Sequence, residues 1–343
     1  MRSFFVFIFV LAIIAVVAAG GGAFVVRQEM MRPGPHAGDV TVLLKEGASV
    51  KAIAEQLEDA GVLRQPILFV AAVRLKGVDS VLKAGEYRIP VGTSVWELVD
   101  LIVAGKSILH YLTVAEGLTT SQTLKVVVEN EELTGELTLS PGEGELLPET
   151  YAFTRGETRD QIVARMMKAQ KTLIDSAWND RALELPISTR EEAVILASIV
   201  EKETGVASER PRIAAVFVNR LKRGMRLESD PTIIYGLTRG EPLGRGLRVS
   251  EIKKETPYNT YRISGLPPTP IANPGRDSIL AVLNPADTND LFFVADGSGG
   301  HAFAETLAEH NRNVAEWRRI EKERRSAPAK SAIKSEADKE PAN

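Results

Sequence analysis

The chain contains no cysteine, which excludes disulfides and any metal or iron–sulfur site held by thiolates. Histidine is scarce. His36, His110, His301 and His310 lie far apart and form no HExxH pair, so the usual zinc-hydrolase arrangement is not indicated. No charge of either sign is in large excess: 42 basic residues face 45 acidic ones, for a formal net charge of −3. Nothing global therefore argues for nucleic acid or an anionic surface as partner. Neither GxGxxG nor GKS/T occurs, so the glycines of Ala295-Asp296-Gly297-Ser298-Gly299-Gly300-His301 read as a tight turn, not a phosphate cradle.

The most local absence is of charge between Phe4 and Val26. As a helix this stretch would span roughly 34 Å, enough for a hydrocarbon core of about 30 Å. Arg2 precedes it and Arg27 follows, so the flanks say little about orientation. The rival is a cleaved signal peptide, since Ala18-Ala19-Gly20 offers small residues to a peptidase. The run exceeds a normal signal core, which favours an anchor. Either reading sends the remainder across the membrane.

What remains is of ordinary globular composition, with 44% hydrophobic and 25% charged residues in 343. That allows more than one domain and a sizeable core. The expected class is α+β: an N-terminal transmembrane helix (1–27), a linker (28–39) containing Pro33-Gly34-Pro35, a small α/β region (40–130), a larger mainly helical domain with short strands (131–319), and a disordered tail (320–343) rich in Lys, Ala and Glu. Within 40–130 one pattern occurs three times. Val40–Leu44, Tyr87–Pro90 and His110–Val114 read as strands. Each leads through a glycine to a Ser or Thr cap, then to a helix over Val50–Leu57, Val95–Ile102 or Ser121–Val128. The copies are unequally spaced, so they do not form a solenoid. Beyond them, helices are expected over Arg159–Ser176, Ala193–Glu203, Arg210–Arg223, Ser278–Leu283 and His301–Arg325, with a strand at Leu291–Ala295.

The chemistry concentrates around Ala193–Thr204. A helix apolar on every side is a buried one, and this one ends in Glu201 and Glu203. Carboxylates so placed are pushed towards the protonated form by burial and by the helix dipole, as a general acid requires. Ala197 and Ser198 lie one turn before Glu201 on its face and would leave room for a ligand, so Glu201 is the better candidate. Lys202 is its candidate charge partner. The alternative is that both glutamates are solvated where the helix leaves the core. Asp230 reads either as a helix cap ahead of Pro231 or as a site residue, and Tyr235 either stacks on a sugar or packs. Tyr258-Asn259-Thr260-Tyr261 and Asn273-Pro274-Gly275, on a proline-stiffened stretch, suit a hydroxyl- and amide-rich polymer.

Seven segments, in order, closely resemble the endolytic murein transglycosylases of the MltG type, the YceG-like family. They are Glu143-Gly144 with Pro148-Glu149-Thr150-Tyr151, Ala197–Thr204, Ser229–Thr232, Tyr258–Tyr261, Gly265–Pro268, Asn273–Gly275 and Ala295–His301. The pattern departs at Glu149, where Asp is expected more often, and at Glu145-Leu146-Leu147, which lacks aromatics. The resemblance implies a single-pass inner-membrane protein with its catalytic domain outside the cytoplasm and a LysM-like wall-binding region. It implies Glu201 as the catalytic residue; Glu143, Ser198, Asp230, Tyr235, Asn259, Tyr261 and Asn273 are, from their own chemistry, the expected substrate-binding residues. It implies peptidoglycan glycan strands and the membrane as partners, peptidoglycan synthases as candidate protein partners, and no nucleic acid, metal or cofactor. The implied reaction cuts the MurNAc–GlcNAc β-1,4 bond and leaves a 1,6-anhydroMurNAc end. Two alternatives stay open: a muramidase that uses Glu143, Asp230 or Glu203 as a second carboxylate, and a non-catalytic tether between membrane and wall.

Overall fold

A computed structural model describes residues 2–326. The fold is mixed helix and sheet, and the chain divides into two compact units. The first runs to Leu112 and takes in Asn130–Glu136 and Tyr151–Arg159. The second comprises Thr113–Glu129, Leu137–Thr150 and everything from Asp160 onward.

The first unit opens with α1 (Arg2–Met30). Its window Phe7–Met30 has a mean hydropathy of 2.6 and is the one span among the described residues long and apolar enough to cross a membrane. Strand β1 (Val40–Leu44) leads to α2 (Val50–Asp59), whose first turn is capped by Ser49, then to α3 (Pro66–Lys76). Strand β2 (Gly85–Ile89) leads to α4 (Val95–Ala104), which opens on a capping box between Ser94 and Glu97. The strands pair antiparallel, Val42 opposite Tyr87. Alternation sends Val42, Leu44, Tyr87 and Ile89 into one core with Leu57, Phe69, Leu98 and Ile102. Two copies of the repeated pattern therefore close on each other.

The third copy behaves differently. Strand β3 (His110–Thr113) leads to α5 (Thr120–Val128), and α5 belongs to the second unit. The division thus departs from the contiguous boundary expected at 130. Strand β4 (Thr150–Phe153) pairs with β3.

The second unit continues through α6 (Arg159–Asn179), which starts at the unit boundary, α7 (Arg190–Glu203), α8 (Arg210–Lys222), α9 (Asp230–Thr238), the short α10 (Val249–Lys253) and α11 (Arg276–Leu283). Helices α7, α8 and α11 pack around Leu196, Ala197, Val200, Ile213, Phe217, Ile279 and Val282. Strands β5 (Phe292–Ala295) and β6 (His301–Ala304) form an antiparallel hairpin, followed by α12 (Leu307–Ser326). The helix expected from His301 therefore starts six residues late. Positive-φ Gly297 and Gly299 turn the chain back, and His301–Ala304 pair as a strand. The tail expected from 320 starts inside α12, and its remainder from 327 lies outside the described residues.

Candidate active site

Helix α7 brings the candidate acid to the edge of the second unit's core. Thr189 and Glu192 form a capping box at its start, and Ala193 and Ile195–Val200 are buried. Ser198 and Glu201, three residues apart, share a face. An extended segment lies along that face. The Ile271 N–H donates to Ser198 Oγ at 3.0 Å, and the Gly275 N–H donates to Glu201 Oε2 at 2.9 Å. The space expected over Ala197 and Ser198 for a ligand is thus filled by chain. Ala197 and Ser198 are both fully buried. Ser198 also donates to the Ile195 carbonyl at 2.7 Å, so it is a structural residue here, not a groove-lining one.

The Glu201 side chain is only 5% exposed and faces a guanidinium. Arg210, the first residue of α8, directs Nη2 to Glu201 Oε1 at 3.4 Å and to Glu116 Oε2 at 2.8 Å, and Nη1 to Asp277 Oδ2 at 3.4 Å. A Cβ on Gly275 would overlap the Glu116 carboxylate, so a larger residue there would displace that side chain. The expected partner Lys202 instead donates to the Gly117 carbonyl at 3.1 Å. Sequence reasoning missed Arg210, Glu116, Asp277 and the Gly275 N–H.

The remaining candidates fall into three groups. Glu143 accepts from the Thr120 N–H at 2.7 Å and from Tyr235 Oη at 3.1 Å. Burial pushes the Glu143 carboxyl up despite these bonds, and burial followed by the Glu143 charge pushes the Tyr235 phenol up to about 12. Glu143 also lines a cavity of about 560 Å³ with Gln170, Ile174, Val194 and Pro270.

Asp230 accepts from Tyr261 Oη at 2.8 Å. It is not the helix cap: Ser229 holds that position, and Asp230 and Pro231 form the first turn of α9. Burial, then Asp230, drives the Tyr261 phenol upward. Ser229 Oγ donates to Glu203 at 2.5 Å, and burial pushes the Glu203 carboxyl up to about 7. Asn259 and Asn273 form the third group and hold backbone. Asn259 Nδ2 donates to the carbonyls of Ile252 at 2.9 Å and Lys254 at 2.6 Å. Asn273 accepts from the Leu146 N–H at 3.1 Å and donates to the Leu118 carbonyl at 3.2 Å. Both are buried, with their polar atoms turned to the protein instead of to an open surface.

A nearly sealed carboxyl at a helix end, faced by a shared guanidinium and one backbone N–H, is the kind of centre that acid–base chemistry uses. The chain belongs to the YceG-like family, whose model matches residues 42–316. It is 28% identical over 326 residues to a protein of Bacillus subtilis (strain 168) named endolytic murein transglycosylase; the match covers 85% of this chain and 89% of that one. A protein of the same name from Streptococcus pneumoniae (strain D39) is 29% identical, with 81% of this chain and 58% of its own length matched. The crystal structure of a yceG-like protein of Listeria monocytogenes is similar at 28% identity and a TM-score of 0.49, covering 81% of this chain and 99% of that one.

Proposed function

We propose that the chain is a membrane-anchored lytic transglycosylase that cuts peptidoglycan glycan strands from outside the cytoplasm, with Glu201 as its acid and base. The observation that carries this is the setting of Glu201 in a chain of this family: one carboxyl, almost sealed from water, held by the Gly275 N–H and facing Arg210. Relatives over most of this chain's length bear the name endolytic murein transglycosylase. The protonated carboxyl gives its proton to the glycosidic oxygen between MurNAc and GlcNAc. The sugar's own 6-hydroxyl then closes on the developing oxocarbenium ion while the same carboxylate takes the hydroxyl proton. The product is a 1,6-anhydro end, and no water enters. Glu143, Tyr235, Asp230 and Tyr261 are the candidate side chains for holding the strand, and the first unit is the candidate wall-binding region. Peptidoglycan synthases remain candidate partners on the outer side of the membrane.

A second reading has its own support. Glu116 and Glu201 flank a single nitrogen of Arg210 at 2.8 and 3.4 Å, so a second carboxylate stands beside Glu201, and glycoside hydrolases use two. Mass analysis of fragments from purified glycan strands separates the two: transglycosylase ends are lighter by one water. Glu201→Gln keeps the shape of the side chain and removes its proton transfer, so cleavage should fall about 10²–10⁴-fold. Full activity in that variant refutes Glu201 as the acid. Hydrated ends from the unaltered protein move it to the hydrolase reading.

A further inference from the structure

An arginine held by one carboxylate alone is a poor setting for a general acid. A charge-assisted contact of that kind holds the carboxylate ionised. Glu201 faces Arg210 at 3.4 Å and accepts the Gly275 N–H at 2.9 Å. Something must therefore draw Arg210 away.

We propose that Glu116 is a positioning residue for the reaction: by taking the nearer share of Arg210, it leaves Glu201 able to hold and release a proton. The inference rests on Glu201 as the acid. The same Nη2 lies 2.8 Å from Glu116 and 3.4 Å from Glu201, and Nη1 turns to Asp277 at 3.4 Å. One cation therefore serves three carboxylates: Glu201 from α7, Asp277 from α11 and Glu116 from the turn before α5. Two of the three negative charges have no cation of their own within this group, and their mutual repulsion favours a proton among them. Lys202, the nearest other cation on α7, is engaged with the Gly117 carbonyl. Arg276 is paired with Glu149 at 2.9 Å.

Glu116 lies against the bare backbone of Gly275, where a side chain would displace it, and Gly275 gives its own N–H to Glu201. Burial, followed by repulsion from Glu201, pushes the Glu116 carboxyl up, as expected of carboxylates competing for one cation.

The test is kcat/KM against pH for the full-length protein in detergent, on purified glycan strands, with thermal melting as a fold control. Glu116→Gln removes the competitor and hands Arg210 to Glu201. The alkaline limb should move down by about one pH unit, costing about tenfold in activity above neutral while the low-pH plateau stays within a few-fold. Glu116→Asp keeps the charge and should restore the limb. A uniform loss across pH, with the limb unmoved, marks a merely structural role and overturns the inference. So does an unchanged profile. Should Glu116→Gln fail to fold, the exposed Asp277→Asn removes a weaker competitor and must shift the limb in the same direction; an unmoved limb there is equally fatal. Retained activity in Glu201→Gln refutes the acid assignment itself, a different result from an unmoved limb.

Discussion

Glu201 and Glu203 stand two residues apart at the end of one helix, yet their surroundings differ in kind. Glu201 meets a guanidinium and an N–H. Glu203 meets a hydroxyl, with Asp230 near it, and burial pushes its carboxyl up to about 7. That shift has a consequence for stability. Between its unfolded value near 4.5 and about 7, the folded protein holds a proton on Glu203 that the unfolded chain has released. Stability therefore falls as pH rises through this window. A shift of this size corresponds to on the order of 3 kcal/mol. Glu203→Gln stays neutral at every pH and should flatten that part of the profile, as measured by denaturant melts from pH 4 to 8. Under the proposal that Glu201 is the acid, it should also keep substantial cleavage activity. At this scale the sequence singles out Glu201 as the candidate acid but not its setting. A buried apolar helix ending in Glu201 is visible in a string of residues. No spacing links residues 116, 201, 210 and 275, which only the packing of the turn before α5 with α7, α8 and the 270–275 segment brings together. Glu116 sits in a turn whose counterpart Glu46 is an ordinary exposed residue. The backbone bonds of Ser198, Asn259 and Asn273 are illegible for a related reason: a polar residue looks the same in sequence whether it serves a ligand or buried backbone.

Helix α7 and the extended segment ending at Gly275 form the supporting element. Small side chains on the helix make room for that segment, so Ala197 and Ser198 serve packing. Ala197 is fully buried among Leu196, Val200 and the residues of α8 and α11. Ala197→Leu adds three carbons to a filled site and should cost about 1–3 kcal/mol in a chemical denaturation curve. This reverses the expectation of a groove at Ala197, under which substrate binding would suffer and stability would change little. A stable variant with raised KM would restore that earlier expectation. Elements with a clear period or cap were legible: β1, α2, α4, α5, α7 and α8 fall within two or three residues of where the pattern puts them. Helix α3 had no such signal, because Ile67–Val73 is apolar throughout and shows no periodicity. Strand β6 was absorbed into a helix because the hairpin depends on left-handed glycines whose geometry is invisible in composition.

For the molecule as a whole, the open question is whether α1 stays. It runs unbroken as a helix from Arg2 to Met30, and Met30 is fully buried in the core of the first unit. The apolar window that precedes it buries nothing against the protein. Such a surface has a large cost in water and none in a bilayer. The possible cleavage point at Ala18-Ala19-Gly20 lies inside this helix, whereas a peptidase must hold its substrate extended. Removing the part before Gly20 would leave an exposed stub, Gly21–Val26, attached to a folded unit. The mature protein should therefore retain Phe4–Val26 and fractionate with membranes even in high salt, which releases proteins held by charge alone. N-terminal sequencing of protein extracted from membranes checks this directly. A mature chain starting near Gly20 and released in soluble form would refute the anchor and leave Glu201 to act on strands that diffuse to it. Retention of α1 would instead tether the chain to the membrane, so cleavage would be confined to strands within reach of that surface. Cutting the linker between Pro33 and Pro35 by an inserted protease site should then abolish that confinement without lowering activity on dissolved strands.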